Sequence, residues 1–227
     1  MVEVKNVTKI YNESKENETK AIDDISFIIK DGEIVVIMGK SGSGKTTLLN
    51  LISCLDRASM GEIYINGENV NLKKDMELAK LRNENIGFIF QDFNLMNNYT
   101  AFENIETPLI IKRIPKKERR KIIFEYAEKL GIKERLNHKP QELSGGEKQR
   151  VAIARALVTK ANIIIADEPT GALDKKTGEE ILKILFDLNN EGKTIIIVTH
   201  DPEISKQVKR NIIISDGKII EDSGGKK

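Results

Sequence analysis

The sequence predicts an α/β protein built on a mainly parallel sheet. Short runs rich in isoleucine and valine, bounded by polar residues or glycine, indicate strands at residues 25–29, 34–38, 86–90, 163–166, 195–198 and 212–214. Three of these runs, 34–38, 163–166 and 195–198, are continuously apolar, as in strands buried on both faces. Helical patterns lie between them, which favours parallel strands covered by helices. Such a sheet binds ligands at the carboxyl ends of its strands.

The two ends of the chain predict antiparallel strands instead. Residues 2–11 alternate between apolar and polar side chains, and a polar loop is expected at 12–20. Asn66-Gly67 has the composition of a tight turn, and Asp216-Gly217 precedes a further apolar run at 218–220. We therefore expect an antiparallel β part beside the parallel core.

The segment from about residue 92 to 157 has a helical pattern throughout. The pattern is interrupted at Pro108, Pro115 and Pro140. We interpret it as a helical subdomain inserted into a single domain, 1–227, whose core comprises 1–91 and 158–227. The last five residues, 223–227, are expected to form a mobile tail.

Composition and charge exclude several classes of protein. Charged residues make up 32% and hydrophobic residues 39% of the 227 residues, as in soluble globular proteins. The 37 basic and 35 acidic residues give a net charge of +2, which does not favour nucleic acid as a partner. The basic cluster at 112–121 is interpreted as a solvated helix face.

No apolar run approaches the roughly 18 residues of a spanning helix, so any membrane partner must be a separate protein. A single cysteine, Cys54, and an N-terminus without the apolar core of a signal peptide predict a cytoplasmic location.

A phosphate-binding loop follows the strand at 34–38. The motif G-x-x-x-x-G-K-[ST] is formed by Gly39, Lys40, Ser41, Gly42, Ser43, Gly44, Lys45 and Thr46, and a helical pattern begins at Thr47. Glycines let the backbone approach phosphates closely, and the N–H groups of the loop and of the helix N-terminus form a positive cradle that includes Thr47. We expect Lys45 to reach the β- and γ-phosphates and Thr46 to be a Mg²⁺ ligand.

Two further strands end in residues that suit phosphate hydrolysis. The strand at 163–166 runs into Asp167 and Glu168, two carboxylates whose burial without partners would be costly. Beside Mg²⁺ and phosphate, Asp167 is expected to bind the metal and Glu168 to orient the attacking water. His200 follows the strand at 195–198, and we expect it to contact the γ-phosphate.

The sequence Leu143-Ser144-Gly145-Gly146-Glu147 opens a helical run that continues to Leu157. Ser144 and Glu147 have the spacing of a capping box. The N-terminus of a capped helix also favours anions. Both interpretations hold together, and we expect this segment to bind nucleotide.

With the phosphate loop, this Ser-Gly-Gly segment, the Asp-Glu pair and the later histidine in this order, the sequence resembles the nucleotide-binding subunit of an ABC transporter over essentially its whole length. The resemblance implies the ABC type of P-loop ATPase fold, ATP and Mg²⁺ as cofactors, and a head-to-tail homodimer in which each ATP lies between one copy's phosphate loop and the other's Ser-Gly-Gly segment. It also implies that Gln91 binds Mg²⁺ and senses the membrane partner, that Tyr11 lies against adenine, and that Asp174 lies across the dimer interface. The family's usual glutamine is Glu147 here.

Within that family, several segments resemble the branch of lipoprotein-release, macrolide-export and antimicrobial-peptide-resistance systems. These segments are 53–57, 90–95, 137–140 and 167–174. The resemblance implies an ATPase on the inner face of the cell membrane that powers a separate integral membrane permease, for export or membrane extraction of a lipophilic or peptide substrate. A regulatory or mechanical module that signals to a membrane partner without moving a solute remains the alternative. A DNA-repair or translation ATPase would need a long coiled-coil insertion or a second cassette, and the Ser-Gly-Gly helix argues against a P-loop kinase.

Overall fold

A computed structural model describes residues 1–13 and 17–224 of the chain. Residues 14–16 of the expected loop and 225–227 of the expected tail lie outside the described residues. The strands of the described ranges are β1 (Val2–Tyr11), β2 (Thr19–Ile29), β3 (Ile34–Met38), β4 (Met60–Ile65), β5 (Glu68–Asn69), β6 (Ile86–Ile89), β7 (Ile163–Asp167), β8 (Thr194–Thr199), β9 (Arg210–Ser215) and β10 (Lys218–Asp222). The α-helices are α1 (Lys45–Ile52), α2 (Asp75–Asn85), α3 (Ala101–Ile111), α4 (Lys116–Lys129), α5 (Gly145–Leu157), α6 (Lys175–Asn190) and α7 (Pro202–Lys206). Short 3₁₀ turns lie at Val70–Leu72, Lys133–Arg135 and Pro140–Glu142.

The larger sheet has six strands in the order β10-β9-β3-β8-β7-β6. All neighbours from β9 to β6 run parallel, and β10 pairs antiparallel with β9 at the edge. This confirms the mainly parallel core. All six residues of β8 are buried, because other elements of the fold cover both faces of the sheet. Met38 is in register with Thr199, and Asp167 with Val198, so the segments that follow β3, β7 and β8 emerge at the same edge.

A second sheet is antiparallel, with the order β2-β1-β4-β5. The expected antiparallel part is therefore present, and the run at 25–29 belongs to β2 in this sheet. The turn at Asn66-Gly67 joins β4 to the short β5. β4 itself escaped prediction because its first three residues are exposed, which removes the alternation that marks a strand.

Two hydrophobic clusters fill the space on either side of the parallel sheet. Alternate residues of the central strands serve each cluster: Val36 and Ile197 belong to one, and Val35, Ile37 and Ile196 to the other. The first cluster joins the sheet to α3, α4, α5 and α6, and the second joins it to α1 and the antiparallel sheet. The parallel strands are therefore held from both faces, which fixes the edge where their carboxyl ends meet.

The expected interruption of the helical pattern at Pro108 is wrong, because α3 continues through this residue to Ile111. Pro108 lies in the last turn, so only one i→i−4 hydrogen bond is lost before the helix ends. Pro115 caps the start of α4, and Pro140 is the first residue of a 3₁₀ turn, where a missing N–H costs no internal hydrogen bond.

Candidate nucleotide-binding site

The phosphate loop joins β3 to α1 through three glycines that no other residue could replace without strain. Gly42 and Gly44 have φ values of 78° and 104°, in the region that favours glycine. A Cβ on Gly44 would lie 2.5 Å from the carbonyl oxygen of Ala21, and a Cβ on Gly39 would lie 2.3 Å from that of Ile214. The loop therefore packs against the neighbouring backbone, and its shape requires these residues.

Lys45 begins α1 and turns its side chain back over the loop. Its Nζ donates to the carbonyl oxygens of Gly39, at 2.6 Å, and Lys40, at 2.9 Å. The first N–H groups of α1 have no partner within the helix. One ammonium group and a helix N-terminus thus converge on one concave backbone, which suits the phosphates of a nucleotide.

A cavity of about 910 Å³ opens above the loop. Most of the nucleotide-site residues expected from the sequence line it: Lys40, Ser41, Gly42, Gly44, Lys45, Thr46, Thr47, Gln91, Asp167, Glu168 and His200. The cavity holds hydroxyl, amide and carboxylate oxygens from Thr46, Gln91 and Asp167. These are the donors that Mg²⁺ prefers.

Glu168 is held by the end of the adjacent strand β8. Its Oε2 accepts a hydrogen bond from Thr199 Oγ1 at 2.9 Å, and its Oε1 accepts one from the backbone N–H of His200 at 3.1 Å. His200 Nδ1 lies 2.6 Å from the same Oε1. Burial, with Glu168 as a like charge nearby, raises the pKa of Asp167 above its usual range, while Lys45 opposes the shift. A cation beside Asp167 would reverse this penalty.

Among the residues expected around the phosphate loop, Gly39, Ser43 and Tyr11 do not line this cavity. Gly39 and Ser43 belong to the loop itself, and Ser43 is buried, with no hydrogen-bond partner for its Oγ among the described residues. Tyr11 donates its hydroxyl to Asp56 Oδ2 at 2.9 Å. Burial and then Asp56 raise its pKa, and a hydrogen bond with Thr47 opposes the shift. Tyr11 is therefore next to a residue that lines the cavity, at its margin.

The Ser-Gly-Gly segment and Asp174 lie at a second concavity of about 360 Å³, which shares no lining residue with the first. It is lined by Ser144, Gly145, Gly146, Glu147, Arg150, Ala172, Leu173, Asp174, Thr177 and Glu180. The capping box is confirmed: the Ser144 N–H donates to Glu147 Oε2 at 2.8 Å, and the Glu147 N–H donates to Ser144 Oγ at 3.3 Å. The fold of one copy thus separates the two groups of predicted nucleotide residues.

Sequence reasoning missed the residues that reach the cavity from distant segments. They are Thr19, Lys20, Ala21, Asp216 and Gly217. The backbone N–H of Gly217 donates to Ser43 O at 3.0 Å, so the turn between β9 and β10 buttresses the phosphate loop. Thr199 also escaped notice, although a hydroxyl just before His200 at the end of a buried strand was a visible signal.

Comparison with known proteins identifies this arrangement. Residues 22–171 match the family model described as ABC transporter. The chain is 48% identical to the uncharacterized ABC transporter ATP-binding protein YvrO of Bacillus subtilis, over 99% of this chain and 98% of that one. It is also 48% identical to the macrolide export ATP-binding/permease protein MacB of Hyphomonas neptunium, over all of this chain but only 35% of MacB.

A solved structure shares the fold. It is a dimeric, post-hydrolysis state of the ATP-binding cassette MJ0796, from Methanocaldococcus jannaschii, bound to ADP and Pi; the TM-score is 0.90 at 47% identity, over 98% of this chain and 97% of that one. On this shared fold the chain carries a phosphate loop, an Asp-Glu pair at the end of a strand and a capped Ser-Gly-Gly helix. The chain therefore belongs to the ABC transporter family, as an ATP-binding subunit with ATPase activity.

Proposed function

We propose that two copies of this chain pair head to tail around two molecules of Mg·ATP, and that their closing and opening drives a separate integral membrane permease. The observation that carries the proposal is the separation of the phosphate-loop cavity from the Ser-Gly-Gly concavity within one chain. Both have features that suit phosphate, and a second copy is the natural source of the missing half of each site. MJ0796, which shares the fold, has been solved as a dimer.

Magnesium fits the residues of the phosphate-loop cavity. Thr46, Asp167 and Gln91 line one space, and the raised pKa of Asp167 marks a carboxylate that lacks a counter-charge sufficient to offset its burial. When bound, Mg²⁺ would neutralise phosphate charge. Among the described residues no cluster of three His, Cys, Asp or Glu side chains forms a metal site. The proposed set therefore depends on a hydroxyl and an amide besides one carboxylate.

The remaining residues divide the work of hydrolysis. The Lys45 ammonium offsets the charge of the β- and γ-phosphates, and the loop N–H groups orient them. Glu168, held by Thr199 and His200, positions the attacking water and accepts its proton at a carboxylate oxygen. His200, with 77% of its side chain exposed, is free to contact the γ-phosphate. On the facing copy, Ser144 and the N–H groups of Gly145 and Gly146 close the site.

A separate, largely apolar groove suits the permease. It has a volume of about 410 Å³ and is lined by residues of α2, β6, α3 and α5, such as Ile111, and by Leu55 and Phe90, which lie outside these elements. Leu55 and Ile111 are 49% and 64% exposed. Phe90 is adjacent in the chain to Gln91, so a segment seated in the groove would act close to the nucleotide. This placement supports Gln91 as the link between partner and site.

The proposed permease partner also bears on where the protein is located and on which substrate the transporter moves. No described helix, within 1–13 and 17–224, is long and apolar enough to cross a bilayer. The chain spans about a third of the MacB relative, whose name couples ATP-binding and permease parts in one protein. We therefore infer a subunit on the inner face of the cell membrane that serves export or membrane extraction of a lipophilic or peptide substrate.

The test is the solution mass of Glu168→Gln, measured by light scattering with and without Mg·ATP. This substitution removes the proposed base and leaves the phosphate loop intact, so bound ATP should persist. We expect a shift from one copy to two on addition of Mg·ATP, and no shift when Lys45→Ala is added to the same chain. A chain that binds ATP, shown by equilibrium dialysis, and stays single both alone and with its permease would overturn the head-to-tail proposal.

A further inference from the structure

The Ser-Gly-Gly concavity has a surplus of negative charge. Three carboxylates line it, from Glu147, Asp174 and Glu180, against the single guanidinium of Arg150. Arg150 Nη2 lies 2.8 Å from Glu180 Oε2, so this cation is already paired. Asp174 caps α6 by accepting from the N–H and the hydroxyl of Thr177, and these bonds lower its pKa. A phosphate group would therefore meet the carboxylates of Glu147 and Asp174, while the only cation among the lining residues is already paired with Glu180.

Arg135 supplies the missing charge from outside the concavity. It ends the 3₁₀ turn Lys133–Arg135, and its Nε donates to Glu147 Oε1 at 2.6 Å. The other carboxylate oxygen of Glu147 accepts the N–H of Ser144 in the capping box. The hydrogen bond from Arg135 is the main cause that lowers the pKa of Glu147 to about 2, and the bonds with Ser144 add to it. Glu147 is thus an anion whose two oxygens are both occupied, one by the helix cap and one by Arg135.

We propose that Arg135 is a positioning and charge-balancing residue that allows Glu147 to cap α5 without repelling the nucleotide held by the facing copy. A carboxylate at this position orders the helix start whose N–H groups face phosphate, but its charge opposes the same phosphate. Arg135 holds one oxygen of that carboxylate and offsets its charge. The inference rests on the proposed head-to-tail pairing and names the residue that sets the electrostatics of the shared site.

The experiment measures the Mg·ATP concentration that gives half-maximal pairing, by light scattering, in the Glu168→Gln chain. Arg135→Gln is expected to raise that concentration roughly fivefold, because each pair contains two shared sites with an uncancelled carboxylate. The difference should shrink to less than about twofold near 1 M NaCl, where the screening length is about 3 Å.

Rescue separates charge balance from a structural role. Glu147→Gln keeps an acceptor for the capping box and removes the charge, so adding it to Arg135→Gln should restore pairing to within about twofold of the parent. If Arg135 merely braced the turn Lys133–Arg135, the double substitution would pair as poorly as Arg135→Gln, and the proposal would fail. It would also fail if Arg135→Gln paired like the parent.

Lys129→Gln serves as the matched control. Lys129 makes an exposed ion pair with Glu191, also at 2.6 Å, on a surface that lines neither concavity. Its loss removes one positive charge and one ion pair without changing the shared site, so pairing should match the parent. A parent chain that binds ATP and never pairs would count against the proposed function itself, whereas a parent that pairs while Arg135→Gln is unaffected would count against Arg135 alone.

Discussion

Glu168 occupies a backbone conformation that few non-glycine residues adopt, with a φ of 43°. This left-handed geometry comes directly after Asp167 at the end of β7, and the Glu168 N–H donates to Val198 O of β8 at 2.8 Å. The turn directs the carboxylate toward Thr199 and His200. Backbone strain of this kind persists only where the surroundings enforce it, and here they hold the Glu168 carboxylate in place.

Thr199 is the buried member of that arrangement, with 1% of its surface exposed. Its hydroxyl donates to Glu168 Oε2 and accepts the N–H of Asp201 at 3.1 Å. Thr199→Val keeps the shape and removes the hydroxyl, so Glu168 should lose its fixed orientation. We expect kcat for ATP hydrolysis to fall roughly 10- to 100-fold with KM nearly unchanged, since a hydrogen bond to a charged group contributes about 1.5–3 kcal/mol.

Steady-state ATPase assays on both variants check this expectation. Thr199→Ser retains the hydroxyl and should keep most of the activity, although it creates a small cavity. The assignment would be wrong if Thr199→Val turned over like the wild type, or if the serine variant were equally impaired.

At the scale of elements, the parts that sequence alone predicted are those whose signals are local. The phosphate loop needs glycines where φ is positive, and the start of α5 needs Ser144 and Glu147 three residues apart, so both are visible in a few letters. α2 was not singled out because it buries only Leu78 and Leu81 and shows no clear apolar stripe. β5, with two residues, carries no periodicity at all.

Asn104 in α3 shows what sequence patterns leave out. It is fully buried, and a polar residue at this place interrupts the apolar stripe of its helix. Its side-chain oxygen accepts the Met96 N–H at 2.8 Å, and its amide donates to the carbonyl oxygens of Met96, Tyr99 and Thr100. Asn104 therefore satisfies the backbone of the segment between β6 and α3, which only the folded chain reveals.

Asn104→Ala should lower the free energy of unfolding by about 2–4 kcal/mol. It leaves one buried N–H and several carbonyl groups without the amide and opens a cavity of the same size as the lost side chain. Urea denaturation followed by circular dichroism measures the change. Asn98→Ala, at an exposed position of the same segment, should remain within about 0.5 kcal/mol of the wild type. Equal stability of the two variants would show that the segment does not depend on Asn104.

At the scale of the whole molecule, one chain carries two separate concavities, which we propose are halves of a shared site. Because each motif is contiguous, the sequence alone points to residues that line both concavities. The motifs could not predict that Asp216 and Gly217, near the end of the chain, reach the phosphate loop, since that proximity arises from the pairing of β9 with β3. Sheet order decides which residues share a cavity, and in the proposed pair a second copy decides which concavities meet.

Mixing two defective chains tests that last step directly. In a head-to-tail pair, Lys45→Ala destroys the phosphate loop of one copy, and Ser144→Arg blocks the Ser-Gly-Gly concavity of the other. When these two chains pair with each other, both lesions fall in the same shared site, and the second site is intact. A pair formed by two copies of the same defective chain has two damaged sites and should hydrolyse no ATP. In an equimolar mixture about half of the pairs are mixed, and each mixed pair has one intact site of its two. If the sites act independently, roughly a quarter of the wild-type rate should therefore return.

The control replaces the Ser144→Arg chain with one that carries both substitutions, because every pairing with Lys45→Ala then leaves no intact site. Phosphate release is measured for the mixtures, with wild-type protein assayed in parallel. Recovery in the first mixture and none in the second would arise only if each ATP is bound by two copies. Sites completed within a single chain would give no recovery in either mixture, because Lys45→Ala and Ser144→Arg would each inactivate the chain that carries them.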